Sequence, residues 1–144
     1  MNVLPPKQEN IDQQSVQPDR FSGVEVLVVD DEVDSLDILT LVLEGEGAKV
    51  IPVKSAALAM EVLDKTTPDL IISDIGMPYT DGYTLMSRIR ELDRGQSIPA
   101  IALTAYANEI DCQQTFDAGF QKHIAKPIDI PQIIAAVAEL LQQE

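Results

Sequence analysis

VEVLVVDDE, residues Val24 to Glu32, is a run of valine and leucine that stops at two adjacent carboxylates. A short, almost continuous apolar run ending in polar residues is the pattern of a strand buried on both faces. Such strands belong to parallel sheets covered by helices. Three further runs share the form: DLIISD (Asp69 to Asp74), IPAIALT (Ile98 to Thr104) and FQKHIAK (Phe120 to Lys126). Each run ends on residues able to do chemistry, namely Asp30-Asp31, Asp74, Thr104 and Lys126-Pro127. In a parallel sheet the carboxyl ends of the strands share one edge, where open α/β sheets place their functional sites. Three carboxylates, one hydroxyl and one ammonium are therefore expected to converge, a set suited to a divalent cation and a phosphoryl group.

Helical patterns alternate with the strands. A first helix is expected from about Asp34 to Glu46, with Leu36, Leu39 and Leu43 on one face and Gly45 and Gly47 at its stop. A second strand covers Ala48 to Val53. Ser55 then caps a helix that runs to about Lys65 and ends at Thr66-Thr67-Pro68. A loop from Ile75 to Gly82 leads into a third helix through about Leu92. The fourth helix, about Asn108 to Ala118, is the least apolar. The last carries Ile130, Ile133, Ile134, Val137 and Leu141 at helical spacing. Five βα units within residues 23–144 predict a doubly wound α/β sandwich around a parallel sheet, with helices on both faces. Residues 1–22 are rich in proline and glutamine and show no periodic apolar face. They read as a flexible tail or linker.

Composition narrows the function. With 24 acidic against 10 basic residues and a net charge of -14, the chain lacks the cationic face that nucleic acid or an anionic membrane needs. The same charge suits Mg²⁺ and a basic protein partner. Cys112 is the only cysteine and His123 the only histidine, so no intramolecular disulfide and no histidine-rich metal site is available. No apolar run is long enough to span a membrane and no secretory signal core is present, so a cytoplasmic location is expected.

Each candidate residue has a bland reading beside the chemical one. Asp30 and Asp31 repel each other unless a cation lies between them, and Mg²⁺ takes one or two carboxylates with waters and a phosphate oxygen. They also fit a helix start. The Asp74 carboxylate is a competent nucleophile toward phosphorus. A helix cap there is less attractive, because Ile75-Gly76-Met77-Pro78 opposes immediate helix continuation. Lys126 can reach a phosphate as a point charge, before an X-Pro bond of the kind that can be cis. Alone, Lys-Pro is a common surface dipeptide. Thr104 can donate its hydroxyl to a phosphate oxygen.

From Val24 to Leu141 the chain resembles a response-regulator receiver domain of bacterial two-component signalling. The resemblance rests on LVVDDE (Leu27 to Glu32), DIGMPYTDG (Asp74 to Gly82), ALTAYA (Ala102 to Ala107) and the stretch from Ala118 to Pro127. It implies a flavodoxin-like (βα)5 sandwich whose five parallel strands run in the order 2-1-3-4-5. It also implies Asp74 as phosphoacceptor, and Mg²⁺ or Mn²⁺ held by Asp30, Asp31, Asp74 and the backbone carbonyl of Gly76. Lys126 becomes the phosphate-binding lysine and Thr104 the switch hydroxyl. The family's aromatic switch position is occupied by His123, a departure from the usual Tyr or Phe. Gly76 and Tyr106 fall where receivers tune acyl-phosphate lifetime, and the expectation is slow to moderate self-dephosphorylation.

The implied phosphoryl donor is a sensor histidine kinase or a histidine phosphotransfer protein. The implied output is a protein partner contacted through helix 4, strand 5 and helix 5, with single copies and paired homodimers both open. Such a domain is not an enzyme beyond its own phosphorylation and dephosphorylation. A stand-alone regulator and the C-terminal receiver of a hybrid kinase both fit. The rival class is a receiver-shaped interaction module that signals without phosphate. A dehalogenase-type phosphatase is disfavoured because Gly76 stands where its second aspartate belongs, and no P-loop motif occurs.

Overall fold

A computed structural model describes residues 20–105 and 112–142. Most of the expected tail, Tyr106 and the expected start of the fourth helix lie outside the described residues. Five strands form one parallel sheet: β1 (Glu25–Val29), β2 (Lys49–Val53), β3 (Leu70–Asp74), β4 (Ala100–Thr104) and β5 (Lys122–Ala125). Their order is β2-β1-β3-β4-β5, as expected. The helices are α1 (Val33–Gly45), α2 (Ala56–Lys65), α3 (Gly82–Glu91), α4 (Cys112–Ala118) and α5 (Ile130–Gln142), with a 3-10 turn at Asp93–Gly95. Among the described residues no helix is long and apolar enough to cross a membrane.

The unbroken apolar runs became the central strands. Every residue of β3 and β4 is buried, and so is β1 after Glu25. The edge strands differ. β2 mixes exposed and buried residues, and its exposed Pro52, which has no N–H to donate, is tolerated at an edge. The reading of FQKHIAK as a buried run is corrected, because β5 is the other edge and only Ile124 within it is buried.

Two apolar layers sandwich the sheet. On one face Val26, Val28, Ile72 and Leu103 meet Leu36, Leu39 and Leu43 of α1 and Ile133 and Val137 of α5. On the other, Leu27, Val29, Ile71 and Ala102 meet Ala59 and Leu63 of α2 and Leu85, Met86 and Ile89 of α3. Phe21, inside the expected tail, packs into the first layer, while its N–H donates to Glu46 O and Arg20 pairs with the Glu46 carboxylate.

Local chemistry fixes the helix starts. Ser55 Oγ accepts the Leu58 N–H, as its capping role requires. Asp81 does the same for Thr84 at α3. The first residue of α3, Gly82, lies so close to the end of β3 that an added Cβ would sit 2.4 Å from Asp74 O. Its own N–H donates to Ile75 O at 2.8 Å. The bare backbone at Gly82 therefore sets how tightly the acceptor strand turns into α3.

Candidate functional site

The sheet delivers the expected residues to its carboxyl edge. Asp74 is the last residue of β3 and Asp30 follows β1 directly, while β1 and β3 are hydrogen-bonded neighbours. Carboxylate oxygens of Asp30, Asp31 and Asp74 all lie within 4.8 Å of one another. Asp30 and Asp74 are buried and Asp31 is exposed.

Lys126 reaches into this group from the end of β5. Its ammonium lies 2.9 Å from Asp30 Oδ2 and 3.6 Å from Asp74 Oδ2, and it donates to Glu32 Oε1 at 2.9 Å. The Lys126-Pro127 peptide bond is cis. Thr104 ends β4 and is buried, and its carbonyl accepts the Lys126 N–H at 2.7 Å. Gly76 follows the acceptor strand, and its N–H donates to Asp74 Oδ1 at 3.4 Å. An added Cβ at Gly76 would meet nothing within 4 Å.

His123 does not join the cluster's edge. It pairs in register with Ala102, whereas Thr104 pairs with Ala125, so it stands two residues back along β5. It is exposed and borders a groove of about 440 Å³ between β5 and α5.

The charges are crowded. Burial, then the negative charge of Asp30, push the Asp74 carboxyl up to about 6, against the opposing pull of Lys126 and the Gly76 N–H. Burial works against the Lys126 ammonium, but its contacts with Asp30 and Glu32 outweigh burial and hold its pKa above the ordinary lysine value. The hydrogen bond from Lys126 holds Glu32 below the usual carboxylate range.

Glu32 carried no role in the sequence reading. Its signal was its place directly after Asp30-Asp31, but its partner lies 94 residues away.

The donor set fits a hard divalent cation. Asp30 Oδ1 accepts the Glu32 N–H, but the buried Oδ2 accepts no hydrogen bond, and its 2.9 Å ion pair with Lys126 is outside hydrogen-bond alignment. An oxygen so placed, beside two more carboxylates, has capacity for a metal.

Residues 26–138 match the family described as response regulator receiver domain. The chain is 43% identical over 119 residues to an uncharacterized 14.6 kDa protein of Leptolyngbya boryana, covering 83% of this chain and 91% of that one. It is 34% identical over 122 residues to the DNA-binding dual master transcriptional regulator RpaA of Synechocystis. That match covers 82% of this chain and 49% of the regulator, so the chain spans about half the regulator's length. The fold also matches the receiver domain of a Pseudomonas aeruginosa sensor histidine kinase, solved with a magnesium ion coordinated in its active-site cleft. There the TM-score is 0.76 and the identity 28%, covering 83% of this chain and 98% of that one.

Proposed function

Because the chain belongs to the response-regulator receiver family, we propose that it is the phosphoacceptor of a two-component phosphorelay, carrying the phosphoryl group on Asp74. The observation that carries this reading is the placement of Asp74. It is a buried carboxylate in a cluster with Asp30 and Asp31, with the Lys126 ammonium 3.6 Å from its Oδ2.

In the transfer, an Asp74 carboxylate oxygen forms a bond to phosphorus as the P–N bond of a phosphohistidine breaks. The imidazole nitrogen leaves with the bonding electron pair and takes up a proton. With its pKa near 6, Asp74 is mostly ionised at neutral pH and needs no base. Lys126 supplies positive charge where negative charge gathers on the phosphoryl oxygens. Asp30, Asp31, Asp74 and the Gly76 carbonyl would hold Mg²⁺ or Mn²⁺, whose charge would offset the rest of the negative charge on the phosphoryl oxygens.

The Thr104 hydroxyl then donates to a phosphoryl oxygen. Because phosphorylation adds a charge of about -1.5 to -2 at the edge, drawing Thr104 inward shifts the chain from Ala105 onward. The surface of α4, β5 with His123, and α5 changes with it. This is a population shift biased by a new charge. The phosphoryl donor is a histidine kinase or a histidine phosphotransfer protein, the output is a protein contact, and the setting is the cytoplasm. At Gly76 no side chain positions an attacking water, which favours slow to moderate self-dephosphorylation.

Intact mass after incubation with acetyl phosphate and Mg²⁺ tests the reading. One added phosphoryl group on the parent and none on Asp74→Asn is the expected result. No addition to a folded parent, with either acetyl phosphate or a phosphorylated histidine protein as donor, would defeat it.

A further inference from the structure

Glu32 occupies the N-cap position of α1, where a short polar side chain such as Ser, Thr, Asp or Asn ordinarily accepts a backbone N–H of the first turn. It makes no such bond. Its Oε1 instead accepts the Lys126 ammonium at 2.9 Å and the Ser35 hydroxyl at 3.4 Å. The Glu32 backbone is also fixed, since its N–H donates to Asp30 Oδ1 at 2.9 Å. The side chain and the N–H are thus tied to the acidic cluster, while the carbonyl opens the helix by accepting the Leu36 N–H at 3.2 Å.

Lys126 has three N–H donors. Asp30 and Glu32 stand nearest to it, both at 2.9 Å, with Asp74 at 3.6 Å. A phosphoryl group on Asp74 needs at least one of these donors. Asp30 is fully buried and anchored through Oδ1, whereas the Glu32 side chain is 62% exposed and free to return to water. Glu32 and Lys126 also share a wall of a surface groove of about 410 Å³ beside α1, which leaves room for that release.

We propose that Glu32 is a positioning residue that holds Lys126 in the resting state and competes with the phosphoryl group for it. This rests on the reading of Asp74 as phosphoacceptor. Removing the charge at Glu32 frees Lys126 for the incoming anion. Because Glu32 is exposed and such pairs are weak, the gain in anion affinity is modest, about two- to fivefold.

The test measures binding of beryllofluoride, a phosphoryl mimic, and the acetyl-phosphate concentration giving half-maximal phosphorylation, both with Mg²⁺. The set comprises the parent, Glu32→Gln, Lys126→Gln and the double variant, with thermal unfolding recorded for each. Glu32→Gln is expected to lower both concentrations about two- to fivefold, to leave the unfolding temperature near the parent's, and to lose its effect in the Lys126→Gln background. An unchanged affinity in a phosphorylatable parent overturns this inference alone. So does an equal gain in the Lys126→Gln background, because the charge would then repel the anion directly. A parent that takes up neither beryllofluoride nor phosphoryl group overturns the acceptor reading and this inference together.

Discussion

Glu25 and Asp69 stand at the amino ends of β1 and β3, and Asp30 and Asp74 stand at the carboxyl ends of the same two strands. At the amino end each carboxylate has a structural partner. The Glu25 N–H donates to Asp69 Oδ2 at 2.8 Å and the Asp69 N–H to Glu25 O at 2.8 Å. The Thr66 hydroxyl donates to Glu25 Oε1 at 3.0 Å, and Lys49 lies 3.5 Å from Oε2. At the carboxyl end, Asp30, Glu32 and Asp74 share one ammonium, and Asp30 Oδ2 accepts no hydrogen bond. Acidic residues at one edge close the fold, while those at the other are left short of partners. A protein holds such a shortfall where an ion or a ligand completes it.

The sharpest way to break this contrast is exchange of one acid at each end. Asp74→Asn is expected to abolish phosphoryl uptake by intact mass, while Asp69→Asn leaves it in place. Next in size is Gly82→Ala, whose Cβ would collide with Asp74 O at 2.4 Å and Ile75 Cα at 2.8 Å. It is expected to cost about 2–4 kcal/mol in urea unfolding. Gly76→Ala, with nothing within 4 Å of its new Cβ, is expected to stay within about 1 kcal/mol of the parent.

Stability should then move in opposite directions at the two ends. Folding raises Asp74 from its ordinary value to about 6. Between the two values the folded state therefore holds more of a proton than the unfolded state. This group's contribution is most favourable below pH 4 and is lost as pH rises through 6. At pH 7 without divalent ions, Asp74→Asn is expected to stabilise by about 1–2 kcal/mol, after discounting for solvent screening at the open edge. Asp69→Ala at the amino end is expected to cost about 1 kcal/mol, because the Glu25 N–H loses its acceptor. Denaturant midpoints at pH 4 and pH 7 separate these signs.

Metal should add an effect of similar modest size. Mg²⁺ at ten times its dissociation constant should stabilise the parent by about 1.4 kcal/mol. Chelation should reverse it, and Asp74→Asn should respond less. Equal response of both proteins would remove Asp74 from the proposed ligand set.

Which parts of this contrast were legible in the sequence follows from range. The central strands were plain because burial on both faces forces continuous valine and isoleucine, and the Ser55 cap was plain because its partner is three residues away. The acids at the strand ends were visible as types but not as partners. Thr66 to Glu25 and Lys126 to Glu32 are bonds across 41 and 94 residues. Phe21 was hidden in a polar stretch with no period to place it, and its pocket is built by other elements. β5 misled because a single chain segment does not reveal whether it lies at the centre or the edge of a sheet.

The main-chain bond from Lys126 N–H to Thr104 O, 2.7 Å long, has its own consequence. The two residues proposed to grip the phosphoryl group are joined at their roots, one rung beyond the pairing of Thr104 with Ala125. Their side chains resemble two fingers on one knuckle. Each can rotate, but the span between their bases is set by the ladder. The size of anion that fits is thus gauged by the backbone, so exchanging either side chain should alter grip strength more than the choice among anions of different radius.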